Sequence, residues 1–456
     1  MTPIRTAIMA ALCAAPMAAS AAQPSQQELI DMLQKLAARV ESLEQRNADL
    51  EARLSETPSA DSNAPLAKRV EALETAQATG GSVNEFLSGI EVEGNVVGVI
   101  QSATADDHDE THTNWRGDLG ITLPAGQVGN SVGTFFVQLR AGQGEGPSEL
   151  PATFTGTLNT ASFQQADVNA ANANAIIAQA FYQLDTAIGG ADSGQNLAVT
   201  VGKQDPFVFF DQNAAADNEV EKFMNNVFVH NPLLDSGGAV GADEYGFTPG
   251  LRVAYSQEGA GSGWGVSGAV YGAGDGATFG RSFTQPFYIA QVEFGPRGEA
   301  REGSYRVYAW HNGQYEGFDG SVGKNTGLGI SFDQQVSAML TLFGRYGHNF
   351  SGKVAFDRAL TLGGEFSGAG WGRDDDGIGL AWGWLRSSKE FRRTSASLQD
   401  YGYDASGAEQ VAELYYRYAV NDHLSLTPDL QFVHRPGAND DEDSIYAFGV
   451  RALYGF

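Results

Sequence analysis

Histidines and acidic runs are the first candidates for chemistry, but neither has the spacing of a dedicated site. His108 and His112 stand four residues apart, a spacing that holds a metal on a helix, yet the stretch between them has no helical pattern. The acidic runs 374–376 and 440–443 lack the ligand spacing of a calcium loop. The G-x-S-x-G match at 129–133 lies between two predicted strands and is not followed by a helix, so it does not predict a nucleophile elbow. We therefore expect no catalytic site, no metal site and no cofactor.

The segment 205–244 combines the side-chain types that recognise small polar solutes. Flat apolar faces contact sugar rings, and polar groups bond to hydroxyls. Phe207, Phe209 and Phe210 either serve this purpose or pack the segment against its surroundings. Residues 217–227 have an apolar and a polar side, which favours a short helix. The polar candidates for solute contact are Asp211, Asn213, Glu221, Lys222 and Asn225.

The N-terminal part of the chain predicts export followed by a helical segment. Residues 1–22 have the basic start, the apolar run and the small-residue cleavage site of a signal peptide. Residues 23–56 carry an apolar seam with alternating spacings of four and three, which predicts a coiled coil, or else a single amphipathic helix. Residues 57–87 predict a linker and a short helix. The seam consists of Leu29, Leu33, Leu36, Val40, Leu43, Asn47, Leu50 and Leu54.

Residues 88–456 have the two-residue period of β-strands. In 134–140, Phe135, Val137 and Leu139 fall on one face, whereas Gln138 and Arg140 fall on the other. Most of the predicted strands are about ten residues long, the length that a tilted membrane strand needs. The sixteen predicted strands lie near 89–101, 114–123, 133–142, 175–187, 195–204, 245–257, 263–273, 286–296, 303–313, 325–334, 337–347, 359–368, 376–386, 408–420, 424–434 and 444–456.

The connections between these strands alternate between short turns and long loops. Outer-membrane β-barrels have short periplasmic turns and longer outer loops, and an even strand number brings both barrel ends to the periplasm. We therefore expect an all-β transmembrane barrel of sixteen antiparallel strands with a periplasmic coiled coil. The predicted outer loops are 102–113, 143–174, 205–244, 314–324, 387–407 and 435–443.

Arginines on the inner face of the predicted strands are candidates for a channel constriction. Opposed basic and acidic groups across a channel create a field that sorts solutes by charge. Alternatively, these arginines pair with carboxylates of the wall and stiffen the barrel. Strand parity places on the inner face Arg140, Arg252, Arg306, Arg345 and Arg451.

Several stretches resemble the carbohydrate-selective porin family of OprB type, and the resemblance spans roughly residues 88–456. It implies a sixteen-stranded barrel that passes monosaccharides and other small solutes. Relatives with an N-terminal anchor often carry a surface-layer-homology domain, where this chain has only the predicted coiled coil. The stretches that carry the resemblance are 199–205, 210–213, 223–226, 413–417, 424–431 and 435–437.

The predicted function is passive diffusion of small hydrophilic solutes, above all carbohydrates, through an outer-membrane channel narrowed by segment 205–244. Two alternatives stay open: a general cation-favouring porin, and a structural tether to the cell wall. Tyr454 and Phe456 resemble the signal that barrel-assembly machinery reads. The expected partners are therefore that machinery, membrane lipid, two further copies in a trimer and peptidoglycan. The net charge of −27 argues against nucleic acid.

Overall fold

The computed structural model describes residues 89–105, 108–147, 150–163, 172–234, 240, 242–243, 245–259, 261–296 and 302–456. The predicted signal peptide, coiled coil and linker lie outside these residues. Within the described part of the chain, no helix is long and apolar enough to cross a membrane.

Sixteen antiparallel strands form the structure. Their bounds are β1 Glu91–Ala105, β2 His108–Val128, β3 Ser131–Gln143, β4 Asn174–Ala187, β5 Gln195–Gln204, β6 Thr248–Glu258, β7 Ser262–Tyr271, β8 Phe287–Pro296, β9 Gly303–Glu316, β10 Val322–Ser337, β11 Leu340–Ser351, β12 Phe356–Ser367, β13 Gly377–Ser387, β14 Ala408–Ala419, β15 Leu424–His434 and β16 Ile445–Gly455.

Short helices occur only between the strands among the described residues. Two are single-turn α-helices, α1 Asn226–Val229 and α2 Phe391–Thr394. The 3-10 helices are Ala191–Ser193, Pro206–Val208, Gly274–Thr278, Gly368–Trp371, Ser395–Ser397 and Pro436–Ala438.

The sheet closes into a barrel because β16 pairs with β1 as well as with β15. Gly455 lies opposite Asn95, and Tyr454 lies opposite Val96. Phe456 and Gly94 exchange backbone hydrogen bonds of 2.9 and 3.1 Å, which extend this pairing by one residue. Closure leaves no strand edge that would have to meet lipid with unpaired backbone groups. The predicted all-β barrel of sixteen antiparallel strands is confirmed.

The two faces of the wall differ in the way that the alternation predicts. On β3, Phe135 and Leu139 are 49% and 40% exposed on the outside, whereas Arg140 on the other face binds Asp118 at 2.6 Å. Tyr454 and Phe456 are exposed on the outside as well. An apolar outer face with a polar inner face is the arrangement of a membrane barrel.

The connections again alternate in length around the barrel, with one difference from the prediction. We predicted a loop at 102–113, but β1 and β2 form one long hairpin whose strands reach Ala105 and His108. Its upper part, with Ser102 and Thr111 hydrogen-bonded at 2.7 Å, carries hydroxyls on its outer face. Alternating apolar residues are therefore missing there, and the sequence pattern predicted a loop where the strands continue.

Candidate channel constriction

The segment 205–247, of which the structure describes 205–234, 240, 242–243 and 245–247, leaves β5 in a tight turn at Asp205. Asp205 caps the 3-10 helix Pro206–Val208 by accepting from the backbone N–H of Phe207 at 2.9 Å. Phe207 then stacks on His230 with ring centroids 3.8 Å apart, and Phe210 is buried edge-on to Tyr271. Phe207 and Phe210 therefore pack the segment against its surroundings, which is one of the two roles that the sequence left open for them.

Asp211 joins the segment to strands β9 and β11. Its carboxylate accepts from the Tyr308 hydroxyl and from the Asn231 backbone N–H, both at 2.6 Å. The Arg345 guanidinium lies 3.1 Å from the same carboxylate and donates to the Phe228 carbonyl at 2.8 Å. Buried charges are tolerated when they are paired and hydrogen-bonded in this way. Asp211 therefore attaches the segment to the wall, and its side chain has no exposed surface that a solute could contact.

Gln212 and Asn213 continue the attachment on β9 and β10. Arg306 donates to the Gln212 carbonyl at 2.7 Å, and the Asn213 amide donates to the Phe332 carbonyl at 2.9 Å. Arg306 also pairs with carboxylates of the neighbouring strands, Glu293 at 2.5 Å and Asp333 at 3.0 Å. Asn213, like Asp211, is buried and not exposed to solvent.

The second part of the segment is attached to β14–β16. Glu413 accepts from the backbone N–H groups of Met224 and Asn225 at 2.5 and 2.9 Å. The Asn225 side chain donates to Gln431 at 2.9 Å, and Arg451 donates to the Lys222 carbonyl at 2.8 Å. Buried backbone N–H groups and carbonyls thus find their partners in wall side chains instead of a helix.

The predicted helix over 217–227 is wrong, although its apolar side is correctly identified. Only α1, Asn226–Val229, is helical there. The apolar residues of the pattern are nevertheless buried; they are Val220, Phe223, Met224 and Val227. Phe223 meets Tyr415 and Phe343 of the wall with ring centroids 4.9 and 5.6 Å apart. Contacts with the wall stabilise irregular turns that the residue pattern alone would favour as helix.

The same segment also binds β2. Arg116 donates to the Glu219 carboxylate at 2.7 Å and pairs with Asp118 at 3.0 Å. In the ring of strands β2 and β10 stand eight positions apart, which is half of the circumference. One segment thus contacts two opposite sectors of the wall.

Glycines of the wall allow this close approach. A Cβ added at Gly347 of β11 would come within 2.6 Å of Asn231 Oδ1, and one at Gly383 of β13 within 2.6 Å of Val227 Cγ1. Both distances are shorter than van der Waals contact, so a larger residue at either position would displace the segment.

These features agree with one family of channels. The family model described as carbohydrate-selective porin, OprB family, matches residues 141–456. The chain belongs to the OprB family. In fold it is similar to the high-pH structure of Pseudomonas putida OprB, with a TM-score of 0.65, 17% identity and coverage of 83% of this chain and 97% of that chain.

A second solved structure in the comparison is the outer membrane channel DcaP of Acinetobacter baumannii. Its TM-score is 0.48, with 12% identity and coverage of 80% of this chain and 97% of that chain. No curated protein matches the sequence. Membership in the OprB family makes the chain an outer-membrane porin, and it places this barrel in the bacterial outer membrane.

Two of the predicted candidates in this OprB-family chain remain partly exposed. Lys222 Nζ lies 3.6 Å from Glu365, and Glu221 lies 3.7 Å from Arg417. Both distances exceed those of tight charge-assisted hydrogen bonds. Lys222 Nζ also donates to the Ala214 carbonyl at 2.5 Å, which leaves two of its three donors. By contrast Asn225, Arg306 and Arg345 are buried against the segment or the wall.

Arg252 and Phe209 form a further contact between the wall and the segment. The guanidinium carbon of Arg252 lies 4.5 Å from the centroid of the Phe209 ring, a cation–π geometry. Phe209 is only half-buried, unlike Phe207 and Phe210. Of the three phenylalanines it is the only one that is not fully buried.

The pKa values of two acidic residues of the segment are shifted in opposite directions. Burial alone would raise the pKa of Glu219, but the charges of Arg116 and Arg140 outweigh burial and lower it to about 2. Burial raises the pKa of Asp217 to about 7, against the opposing charges of His230 and Arg345. Glu219 therefore stays ionised at neutral pH, whereas Asp217 titrates there.

Sequence reasoning missed several residues of the attachment. Arg116 follows the outward-facing Trp115, so strand parity alone would have placed it inside. Parity likewise places Glu413 and Tyr308 inside, next to the outward-facing Leu414 and Val307. It does not reveal their partners, which are backbone N–H groups and a carboxylate distant in sequence. Only the three-dimensional structure brings these groups together.

Proposed function

We propose that this OprB-family porin passes small neutral sugars through a channel that segment 205–247 narrows. The observation that carries the proposal is the attachment of one segment to opposite sectors of the wall, through Arg116 on β2 and the Phe332 carbonyl on β10. A chain segment that spans a barrel's interior reduces the open cross-section and sets selectivity.

The groups left accessible suit polyhydroxylated solutes. Lys222 and Arg417 supply donors, and Glu221 and Glu365 supply acceptors, in partly exposed pairs. The Phe209 ring offers an apolar face beside Arg252. In this proposal the buried Asp211, Asn213 and Asn225 hold the segment, and the accessible groups contact the solute. Four arginines of the wall position the segment and set the electric field across the channel. They are Arg140, Arg252, Arg306 and Arg345.

Planar-bilayer recording tests the proposal. The purified chain should form channels whose ionic current falls when glucose or maltose is added, and Phe209→Ala should weaken that block. Absence of any channel would refute the porin function for this chain. Channels whose current no sugar reduces would refute the sugar preference alone.

A general cation-favouring porin is the second candidate, and the net charge of −27 favours it. Reversal potentials in a salt gradient decide between the two. Strong cation preference without sugar block would establish this second function. Trimer formation, recognition of Tyr454 and Phe456 by assembly machinery, and peptidoglycan contact by residues 23–87 are further parts of the proposal.

A further inference from the structure

Three basic side chains lie side by side on the outer face of the barrel, near its long-loop end. His348 on β11 lies directly opposite Arg358 on β12, and Arg358 lies directly opposite Arg386 on β13. Lys389 and Arg393 follow in the connection after β13, and both are exposed. We call these five residues the outer basic row.

Strand parity places the strand members of the row on the membrane side of the wall. Arg358 lies two and four residues from Leu360 and Leu362 on β12. Arg386 lies two and four residues from Trp384 and Trp382 on β13. Leu362 and Trp382 are among the exposed apolar residues of the barrel exterior. Side chains two residues apart on a strand share a face, so both arginines point away from the channel.

The row is electrostatically unfavourable by itself. Like charges directly opposite each other in a β-ladder repel, and the chain as a whole has few basic residues, 28 against 55 acidic ones. Arg358 reaches Asp357 at 3.3 Å and remains 42% exposed. Arg386 has no ion-pair partner among the described residues. With Glu390 as the adjacent acid in the connection, the row keeps an excess of positive charge.

The side chains next to the row are those of a membrane boundary. Two residues nearer the barrel's middle, Tyr346 lies opposite Leu360 and Leu360 lies opposite Trp384. Tyrosine and tryptophan on the outside of a barrel mark the level of lipid headgroups. Cationic side chains just beyond such residues stand where the headgroups of the outer leaflet lie.

We propose that the outer basic row binds the phosphate group of an outer-leaflet lipid, whose acyl chains lie along Leu360 and Trp384. Arginine pairs with phosphate through two parallel hydrogen bonds, and such an anion between Arg358 and Arg386 removes their repulsion. A free phosphate would leave the adjacent apolar wall without a ligand contact, which is why the lipid is the occupant. The site faces the membrane and is independent of solute passage.

Binding of a phosphorylated glucosamine glycolipid to the purified full chain in detergent tests the proposal, with native mass spectrometry as the readout. The chain should retain the lipid. The double variant Arg358→Gln/Arg386→Gln should bind it about tenfold or more weakly, since charge-assisted hydrogen bonds are lost. Arg281→Gln, which removes an exposed arginine from the connection between β7 and β8, should bind like the unmodified chain.

Three outcomes of this experiment would overturn the proposal. The first is equal binding by the double variant, and the second is equal binding of the dephosphorylated glycolipid, which would show retention by acyl chains alone. The third is displacement of the lipid by inorganic phosphate at the lipid's concentration, which would indicate a free-anion site. Channel conductance that is unchanged in the double variant shows that this variant folds. If the double variant misfolds, Arg386→Gln alone takes its place, and the same loss of lipid binding is required of it.

Discussion

At the scale of single residues, burial separates anchoring groups from accessible ones. The sequence identified Asp211 and Lys222 together as polar candidates in one segment. In the structure Asp211 is buried between Tyr308 and Arg345, whereas Lys222 stays near solvent. Residue type and parity predict which strand side chains face inward. They do not predict which of them find a buried partner, because the partners come from distant parts of the chain.

Asp211→Asn should loosen the segment. The substitution leaves the Arg345 guanidinium buried without its carboxylate, and breaking a buried ion pair costs about 3–5 kcal/mol. We expect a lower urea midpoint of unfolding and noisier, larger single-channel currents. Asp319→Asn is the matched control, since it breaks the exposed pair with Lys353. Equal effects of the two variants on the current would contradict the anchoring role.

Asp217 should make ion selectivity depend on pH near neutrality. Its pKa is raised to about 7 by burial, so the side chain is neutral at lower pH and negative at higher pH. Cation preference, measured as a reversal potential, should therefore rise between about pH 6 and 8. Because the folded-state pKa lies above the ordinary value of 3.8, Asp217 contributes stability at low pH that is lost as pH rises from about 4 to about 7.

The variant Asp217→Asn should flatten this change in the reversal potential. Glu219→Gln is its control, because the pKa of Glu219 is lowered to about 2 and the residue does not titrate in that range. A pH dependence that survives Asp217→Asn would assign it to other groups. His230, 3.5 Å from Asp217, would then be the next residue to test.

At the scale of elements, the strands were predictable and the connections were not. The period of two locates β3 and β15 nearly to the residue, because lipid on one side and polar groups on the other impose strict alternation. The β1–β2 hairpin escaped prediction where its outer face carries hydroxyls. The irregular backbone of 217–225 escaped prediction for another reason. Its hydrogen bonds go to wall residues such as Glu413 and Arg451, which no local pattern encodes.

Lys222→Glu should raise cation preference through the segment. Lys222 lies 3.6 Å from Glu365. A unit charge at about 4 Å in water contributes about 1 kcal/mol, so the two-unit change from Lys to Glu contributes about 2 kcal/mol, or about a thirtyfold change in the permeability ratio. Lys324→Glu makes the same change of net charge on an exposed residue of β10. Reversal potentials that shift equally in both variants would show that overall charge, and not the segment, sets selectivity.

At the scale of the whole molecule, the barrel closes without the first part of the chain. The pairing of β1 with β2 begins at Glu91 opposite Thr122, and its pairing with β16 begins at Asn95 opposite Gly455. The ladder hydrogen bonds of the described barrel are therefore made by residues after the predicted coiled coil. The heptad pattern of 23–56 predicts a separate role for that segment in association or in contact with the cell wall.

Deletion of residues 24–80 should accordingly preserve channel conductance and sugar block, while trimer yield or envelope attachment falls. A milder variant replaces Leu36 and Leu43 of the seam with Asn. It removes the apolar pairing of the seam and keeps the chain length. The measurements are planar-bilayer conductance for the barrel, and cross-linking and peptidoglycan co-sedimentation for the segment. If both deletion and replacement leave oligomer yield and co-sedimentation unchanged, the segment has no structural role. Loss of conductance on deletion would instead mean that the barrel depends on contacts with residues before Glu91, which its ladder does not require.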